Sequence, residues 1–135
     1  MKKKLYIDTN VWLDYCLGTQ DVRPLDEYAR HIFERAVQCE FVVCVSEIVE
    51  YELRKYVTQH EDLFEPLRIA GKLERIPVRY ADKKAAEHIN AHYPDNVHVY
   101  VAQKHGCTHF VTNDKELLML EMPLAIVSSQ FFQFE

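Results

Sequence analysis

Long hydrophobic runs are missing from this sequence of 135 residues. A membrane-spanning helix needs about 18 or more uninterrupted apolar residues, and no stretch of the chain approaches that length. The basic start, Met1 to Lys4, is followed by only three apolar residues before Asp8. A secretory signal peptide requires a longer apolar segment at this point. We therefore predict a cytoplasmic protein that does not enter a membrane.

Closely spaced cysteine pairs are absent as well. The four cysteines form no Cys-x-x-Cys pair and lie among apolar neighbours, at positions 16, 39, 44 and 107. Scattered cysteines of this kind are typical of small buried residues in a reducing compartment. We therefore predict a structural role for them.

Positive charge is in deficit, because 16 Lys and Arg residues face 21 Asp and Glu residues, for a net charge of -5. A protein whose whole surface attracts nucleic acid needs accumulated Lys and Arg. Any contact with nucleic acid must therefore be local. A cation bound among the acids would change the balance at that place.

Strand-like and helix-like segments alternate along the chain. Short apolar runs predict strands at residues 4–7, 41–45, 73–78, 108–111 and 124–127. Apolar residues at helical spacing, together with cap and breaker residues, predict helices at residues 11–17, 24–38, 47–57, 61–72, 82–92 and 95–105. No linker, repeat or low-complexity tract interrupts the pattern. The sequence therefore predicts a single α/β domain over residues 1–135 with a mainly parallel sheet of about five strands.

Four acidic residues fall where predicted strands end or where helices run, and these are Asp8, Glu52, Asp95 and Asp114. Asp8 and Asp114 follow different strands, and the carboxyl ends of parallel strands meet at one edge of a sheet. Each aspartate has an ordinary explanation as a helix N-cap. Their coincidence at one edge favours a shared site.

Among the four acids, Glu52 gives the strongest indication of a functional site. At about 3.6 residues per turn, it lies between Ile48 and Val49 on the face of its helix that is predicted to be apolar, and Tyr56 lies on the same face. Glu50 and Arg54 are predicted to pair on the opposite, solvated face. A buried carboxylate needs a metal ion or a cationic partner, so the alternative for Glu52 is a salt bridge to a Lys or Arg.

Carboxylates without paired Cys or His ligands favour Mg²⁺ or Mn²⁺ over zinc. Such ions orient a phosphodiester and lower the pKa of a bound water, which then attacks the phosphorus. The acids therefore predict a divalent-metal site for phosphoester chemistry. An alternative is an aspartyl-phosphate enzyme that uses Asp8 as nucleophile with Lys115 nearby.

Other candidate residues have simpler explanations. His88 and His92 stand at the i, i+4 spacing of zinc-binding helices, but without a third ligand nearby we predict that they face solvent. His98 lies one turn beyond Asp95 and is predicted to pack in the core, as is Tyr6. The basic pair of Arg54 and Lys55 is typical of a solvated surface.

The ordered set of acidic motifs resembles the PIN-domain nucleases. The matching segments are Ile7-Asp8-Thr9-Asn10-Val11, Ser46 with Glu52 six residues later, Asp95-Asn96-Val97-His98, and Val111-Thr112-Asn113-Asp114. The resemblance implies a three-layer α/β/α sandwich and a ribonuclease that depends on Mg²⁺ or Mn²⁺. It also implies metal-site roles for Asp8, Glu52, Asp95 and Asp114, with supporting roles for Asn10, Thr112 and Asn113.

Small members of this family are often VapC-type toxins of toxin–antitoxin pairs. The resemblance thus predicts an endoribonuclease toxin with an RNA substrate, an antitoxin protein as partner and a homodimeric state. Two alternatives stay within the family. One is an RNA-processing nuclease that is not a toxin, and the other is a PIN-derived module that binds RNA or protein without cleavage.

Overall fold

A five-stranded, all-parallel sheet forms the centre of the computed structural model, which describes residues 2–18 and 21–133. The strands lie in the spatial order β3-β2-β1-β4-β5. Their bounds are Lys3–Ile7 for β1, Phe41–Ser46 for β2, Leu73–Ile76 for β3, His109–Val111 for β4 and Ala125–Val127 for β5. Strand β1 is therefore the central strand of the sheet.

Helices lie on both faces of this sheet. Their bounds are Thr9–Leu17 for α1, Leu25–Val37 for α2, Glu47–Arg54 for α3, Glu61–Ile69 for α4, Tyr80–Ala85 for α5, Asp95–Lys104 for α6 and Lys115–Leu118 for α7. Two short 3-10 helices cover Ala86–His88 and Ser129–Gln133. Helices α1, α2 and α4 pack together, α5 packs on α6, and both α2 and α6 contact β2. The predicted fold class, an α/β/α sandwich around a parallel sheet, is confirmed.

None of the helices in the described ranges is both long enough and apolar enough to cross a membrane. The central strand is apolar because it is covered on both faces, and Leu5, Tyr6 and Ile7 are fully buried. Next to it, the Trp12 ring stacks on Phe33 with centroids 4.4 Å apart. This aromatic pair joins α1 to α2.

The pairing of β1 with β4 determines what lies at the carboxyl edge of the sheet. Ile7 stands opposite Val111 in the parallel register. The Asp8 amide continues the ladder by donating to the Val111 carbonyl at 2.9 Å. The Thr112 amide likewise continues the pairing of β4 with β5 by donating to the Val127 carbonyl, also at 2.9 Å. Asp8 and Thr112 therefore leave the sheet side by side.

The prediction of one helix over residues 82–92 is wrong. Helix α5 covers Tyr80–Ala85, a 3-10 turn covers Ala86–His88, and the chain has left helical structure before His92. The Ala86 carbonyl accepts a hydrogen bond from Asn96 Nδ2 at 3.2 Å, so a side chain from α6 takes an acceptor that a continuing helix would use. The two histidines therefore share no helix at i, i+4 spacing.

The prediction that Glu50 lies on a solvated face is also wrong. Glu50 is 9% exposed, whereas Tyr56, predicted on the apolar face, is 63% exposed. The Glu50 Oε1 atom lies 3.1 Å from Arg75 Nη1, and no ion pair joins Glu50 to Arg54 in the described ranges. Arg75 comes from β3, and this long-range partner allows a carboxylate beneath α3.

Replacing Arg75 with methionine is expected to lower the free energy of unfolding by about 1–3 kcal/mol, because Glu50 would stay buried without its cation. The cost stays below that of a fully buried pair because the Arg75 side chain is itself 45% exposed. Urea denaturation measures this change in the free energy of unfolding. The matched control is Arg68→Met, whose partner Glu65 is exposed, with an expected effect within about 0.5 kcal/mol. Equal effects of the two variants would contradict the structural role of Arg75.

Candidate active site

A cleft of about 260 Å³ lies beyond the carboxyl ends of β1 and β4. Parallel α/β sheets bind ligands at this edge. The four acids of the sequence motifs all line the cleft, although they are far apart in the chain. Its lining consists of Asp8, Thr9, Asn10, Leu13, Glu52, Lys55, Tyr56, Asp95 and Asp114.

Asp8 is only 5% exposed, and both of its carboxylate oxygens accept hydrogen bonds. Oδ1 accepts from the Thr9 amide at 2.8 Å, which caps α1. Oδ2 accepts from Thr112 Oγ1 at 2.8 Å and from Asn10 Nδ2 at 3.1 Å. Burial raises the pKa of the Asp8 carboxyl, and these hydrogen bonds offset only part of the effect. Asp8 is therefore both a helix cap and a cleft residue.

The predicted supporting residues act at different distances from the acids. Asn10 and Thr112 contact Asp8 directly and also each other, with 3.2 Å between Asn10 Nδ2 and Thr112 Oγ1. Asn113 contacts none of the four acid side chains. Its Nδ2 donates to Ser129 Oγ at 3.1 Å, and its Oδ1 accepts from the Ser129 amide at 3.2 Å. Asn113 therefore fixes the segment after β4 to the residues that follow β5.

Glu52 is half-buried and has two hydrogen-bond donors. Its Oε1 accepts from Thr9 Oγ1 at 2.6 Å, and His98 Nε2 lies 3.0 Å from the same oxygen. Burial alone would raise the pKa of the Glu52 carboxyl, but the hydrogen bonds from His98 and Thr9 outweigh it and the pKa is lowered. The salt bridge to a Lys or Arg, considered as the alternative for Glu52, is therefore wrong, because the partner is a histidine.

Asp95 is the first residue of α6, yet it does not cap that helix. The N-cap is Pro94, and no side-chain capping hydrogen bond is present. Within residues 2–18 and 21–133, the half-buried Asp95 carboxylate accepts no hydrogen bond and forms no ion pair. Burial raises its pKa, and the negative charges of Asp8, Asp114 and Glu52 raise it further. The cap explanation therefore fails for Asp95.

Asp114, in contrast, is a helix cap. Its Oδ1 accepts from the amides of Glu116 at 2.9 Å and Leu117 at 3.4 Å, at the start of α7. The Asp114 amide donates to Thr112 Oγ1 at 3.1 Å, which connects it to the group around Asp8. Since the residue also lines the cleft, capping and facing the site are compatible here.

The carboxylates of this cleft lack cationic partners. No Lys or Arg forms an ion pair with Asp8, Glu52, Asp95 or Asp114 in the part of the chain that the structure describes. No three of them have ligand atoms within 4.8 Å of one another either. Mg²⁺ keeps several waters and is bound through one or two carboxylates, so it does not require three ligand atoms this close together. The donor set, all oxygen and all acidic, fits such an ion.

A tighter cluster lies elsewhere, where Glu50, His60 and Glu61 bring ligand atoms within 4.8 Å of one another. Arg75 already forms ion pairs there, at 3.1 Å with Glu50 and 2.6 Å with Glu61. The cluster does not line the cleft. A guanidinium therefore supplies its positive charge, and we assign it a structural role.

Four further residues lie near the acids. Tyr6 and His98 are buried, as predicted, but they are hydrogen-bonded to each other, and His98 also contacts Glu52. The position of His98 one turn after Asp95 is the only sequence signal for this contact. Lys55 and Tyr56, which directly follow α3, line the cleft, and the position of Tyr56 one helical turn after Glu52 is the only sequence signal for this.

A sequence model of the PIN domain family matches residues 5–121 of the chain. No curated protein has a sequence that matches it. The fold is similar to a chain in the crystal structure of VapBC2 from Rickettsia felis bound to a DNA fragment from their promoter. That match has a TM-score of 0.61 and 15% identity, and it covers 93% of this chain and 98% of that chain. Another match, to the PIN domain endonuclease Utp24, has a TM-score of 0.47 and 24% identity, and covers 93% and 84%.

Asp95→Asn is expected to raise the melting temperature of the metal-free protein at pH 7 by about 1–4 °C, since solvent screening keeps the gain below about 1 kcal/mol. The variant removes a half-buried charge that three carboxylates repel. Because folding raises the pKa of Asp95, its ionised form costs stability only at pH values above the unfolded pKa of about 4. The gain in melting temperature should therefore vanish near pH 4. Calorimetry in EDTA measures both effects.

The matched control for this experiment is Asp62→Asn, which removes an exposed carboxylate from the first turn of α4. Like Asp95→Asn, this control removes a carboxylate that interacts favourably with a helix dipole, but it does not relieve the repulsion among the cleft acids. Its melting temperature should therefore stay the same or fall slightly. A fall in the melting temperature of Asp95→Asn, equal to that of the control, would contradict the repulsion among the cleft acids.

Proposed function

The chain belongs to the PIN domain family, whose members are generally nucleases, and on that premise we propose that it is a divalent-metal-dependent endoribonuclease. We further propose that residues 1–135 form a single PIN-like domain. In this proposal Asp8, Glu52, Asp95 and Asp114 hold Mg²⁺ or Mn²⁺, and Asn10, Thr112 and Asn113 support them. The observation that carries the proposal is Asp95, a half-buried carboxylate beside other acids with no hydrogen bond, cap or ion pair in the described ranges.

The donor set supports a metal because each acid keeps its negative charge available. Asp8 and Glu52 are held by amide, hydroxyl and imidazole donors, and Asp114 by backbone amides. These partners orient a carboxylate and leave its charge in place, whereas a guanidinium would neutralise it. A divalent ion, when bound, orients a phosphodiester and lowers the pKa of a water molecule. The proposed reaction is hydrolysis, with water as the nucleophile.

The geometry disfavours the aspartyl-phosphate alternative. Asp8 lines the cleft, but Lys115, which that mechanism needs beside the nucleophile, does not. The Thr9 hydroxyl, also in the cleft lining, donates to Glu52 at 2.6 Å and is engaged in that bond. The cleft therefore favours a mechanism without a covalent protein intermediate.

An RNA substrate is supported by two further residues of the cleft lining, Lys55 and Tyr56. Tyr56 is 63% exposed, and Lys55 is exposed beside it, with its Nζ 4.7 Å from the centre of the Tyr51 ring. An exposed aromatic ring stacks on an unpaired base, and a neighbouring cation binds phosphate. These residues provide a local contact of the kind that the net charge of -5 requires. We propose that they bind the RNA strand beside the scissile phosphate.

We also propose that the protein is a cytoplasmic toxin of a toxin–antitoxin pair, with an antitoxin protein as partner and a homodimeric state. The support for this role is the order of the acidic motifs, which resembles that of the family to which the VapC-type toxins belong. The fold shared with a chain of VapBC2 is compatible with it. The test is to express the chain alone and together with a small reading frame found next to its gene. A toxin arrests growth when expressed alone and not when expressed with its antitoxin, whereas a processing nuclease does not show this difference.

The protein is expected to cleave a labelled single-stranded RNA in Mg²⁺ or Mn²⁺ and to lose this activity in EDTA. Asp8→Asn should reduce cleavage at least about 100-fold, because a metal ligand is removed. Asp62→Asn, an exposed acid outside the cleft, serves as the control and should cleave normally. Cleavage that survives EDTA or Asp8→Asn would overturn the mechanism. RNA binding without cleavage under any divalent ion would identify a non-cleaving module instead.

Tyr56→Ala is expected to raise KM for RNA about 5- to 100-fold with kcat nearly unchanged, because one base loses its stacking partner. Lys55→Ala should reduce the salt dependence of RNA binding by about one phosphate contact. The controls are Tyr80→Ala and Lys84→Ala, a similar exposed Lys–Tyr pair that does not line the cleft. Steady-state kinetics at several salt concentrations measures these effects. Equal effects of the cleft variants and of the control variants would contradict the proposed contacts.

A further inference from the structure

A buried chain of hydrogen bonds leads from the start of α3 to the cleft. Ser46 Oγ lies 2.7 Å from Tyr6 Oη, and Tyr6 Oη lies 2.6 Å from His98 Nδ1. On the other side of the imidazole, His98 Nε2 lies 3.0 Å from Glu52 Oε1. Ser46, Tyr6 and His98 are each at most 1% exposed. We propose that Tyr6 and His98 are positioning residues that hold Glu52 with one carboxylate oxygen left for the site.

We assign the directions of these hydrogen bonds as part of this proposal. Ser46 Oγ accepts from the Val49 amide at 3.2 Å, as the N-cap of α3. We assign its one hydroxyl hydrogen to the Tyr6 oxygen, its other hydrogen-bond partner. Tyr6 carries its proton at neutral pH, as an ordinary tyrosine does. Since Tyr6 already accepts from Ser46, its single hydrogen points to His98 Nδ1.

This order determines the tautomer of His98. A nitrogen that accepts a hydrogen bond carries no proton, so Nδ1 is unprotonated and the ring proton lies on Nε2. The Nε2–H group therefore donates to Glu52 Oε1. A ring held at both nitrogens cannot turn without breaking a buried hydrogen bond, which costs about 1–3 kcal/mol. The donor to Glu52 is thus fixed in position as well as in protonation.

Glu52 receives both of its hydrogen bonds on the same oxygen. Thr9 Oγ1 and His98 Nε2 both contact Oε1, and Oε2 accepts no hydrogen bond within the described ranges. The carboxylate is therefore restrained at one oxygen and open at the other. Groups that orient a metal ligand in this way typically change metal affinity or activity about 10- to 100-fold when removed. This role of Tyr6 and His98 rests on the proposed function of Glu52 as a metal-site acid.

The first measurement is made on the metal-free wild-type protein. Long-range ¹H–¹⁵N correlation spectra report which imidazole nitrogen carries the proton, and for His98 we expect an unprotonated Nδ1 and a protonated Nε2. In Tyr6→Phe the donor to Nδ1 is absent, so the Nδ1–H form should gain population. The ring of the variant keeps its stacking on Phe110, at 5.1 Å between centroids, so the fold should persist. A protonated Nδ1 in the wild-type protein would overturn the proposal.

The second measurement is the affinity for Mn²⁺ by calorimetry, together with RNA cleavage. Tyr6→Phe should weaken Mn²⁺ binding about 10- to 100-fold and lower kcat with KM for RNA unchanged. Tyr100→Phe is the matched control, because it makes the same change on α6, where the hydroxyl forms no hydrogen bond in the described ranges. It should leave the tautomer of His98 and the Mn²⁺ affinity as in the wild type.

The results separate this inference from the function on which it rests. Unchanged Mn²⁺ affinity in Tyr6→Phe, with wild-type binding intact, would overturn the positioning role alone. No Mn²⁺ binding by the wild-type protein would overturn the metal site and the positioning role together. A weaker affinity in Tyr6→Phe, with no change in Tyr100→Phe, would support both.

Discussion

The parallel pairing of β1 with β4 is the constraint on which the rest of the site depends. It places Ile7 opposite Val111, so that the next residues, Asp8 and Thr112, leave the sheet together and join through a 2.8 Å hydrogen bond. Side chains alternate between the faces of a sheet, so a slip of one residue would point them to opposite sides. Leu5, Tyr6 and Ile7 of β1 are fully buried, so such a slip would also displace side chains of the core. The register of the core therefore determines the geometry of the acids.

The acids gathered at this edge are not equivalent. The pKa of Asp8 is raised by burial, that of Asp95 by burial and by its acidic neighbours, and that of Glu52 is lowered by its donors. The ionised forms of Asp8 and Asp95 therefore oppose folding at neutral pH unless a cation joins them. Functional sites commonly carry such a cost to stability. The apolar contacts of the sheet and the aromatic cluster around Trp12 have to offset it.

Much of this architecture could be predicted from the sequence, because strand ends, caps and the order of the acids depend on local pattern. The five strands and the shared edge of Asp8 and Asp114 follow in this way. Contacts between distant segments could not be predicted. The burial of Glu50 depends on Arg75 from β3, the helix end near Ala86 depends on Asn96, and the hydrogen bond of His98 to Glu52 joins two helices. Each lies beyond the periodicity of a single element.

Glu50 and Glu52 show why burial of a carboxylate is a weaker guide to function than the nature of its partner. They are two residues apart on α3, and the more deeply buried one, Glu50, lies against a guanidinium that neutralises it. Glu52 has a hydroxyl and an imidazole N–H, which orient its carboxylate and leave the charge in place. Asp95, with no partner in the described ranges, completes the series. A carboxylate available to a metal ion is therefore one that is oriented by uncharged donors or left without any.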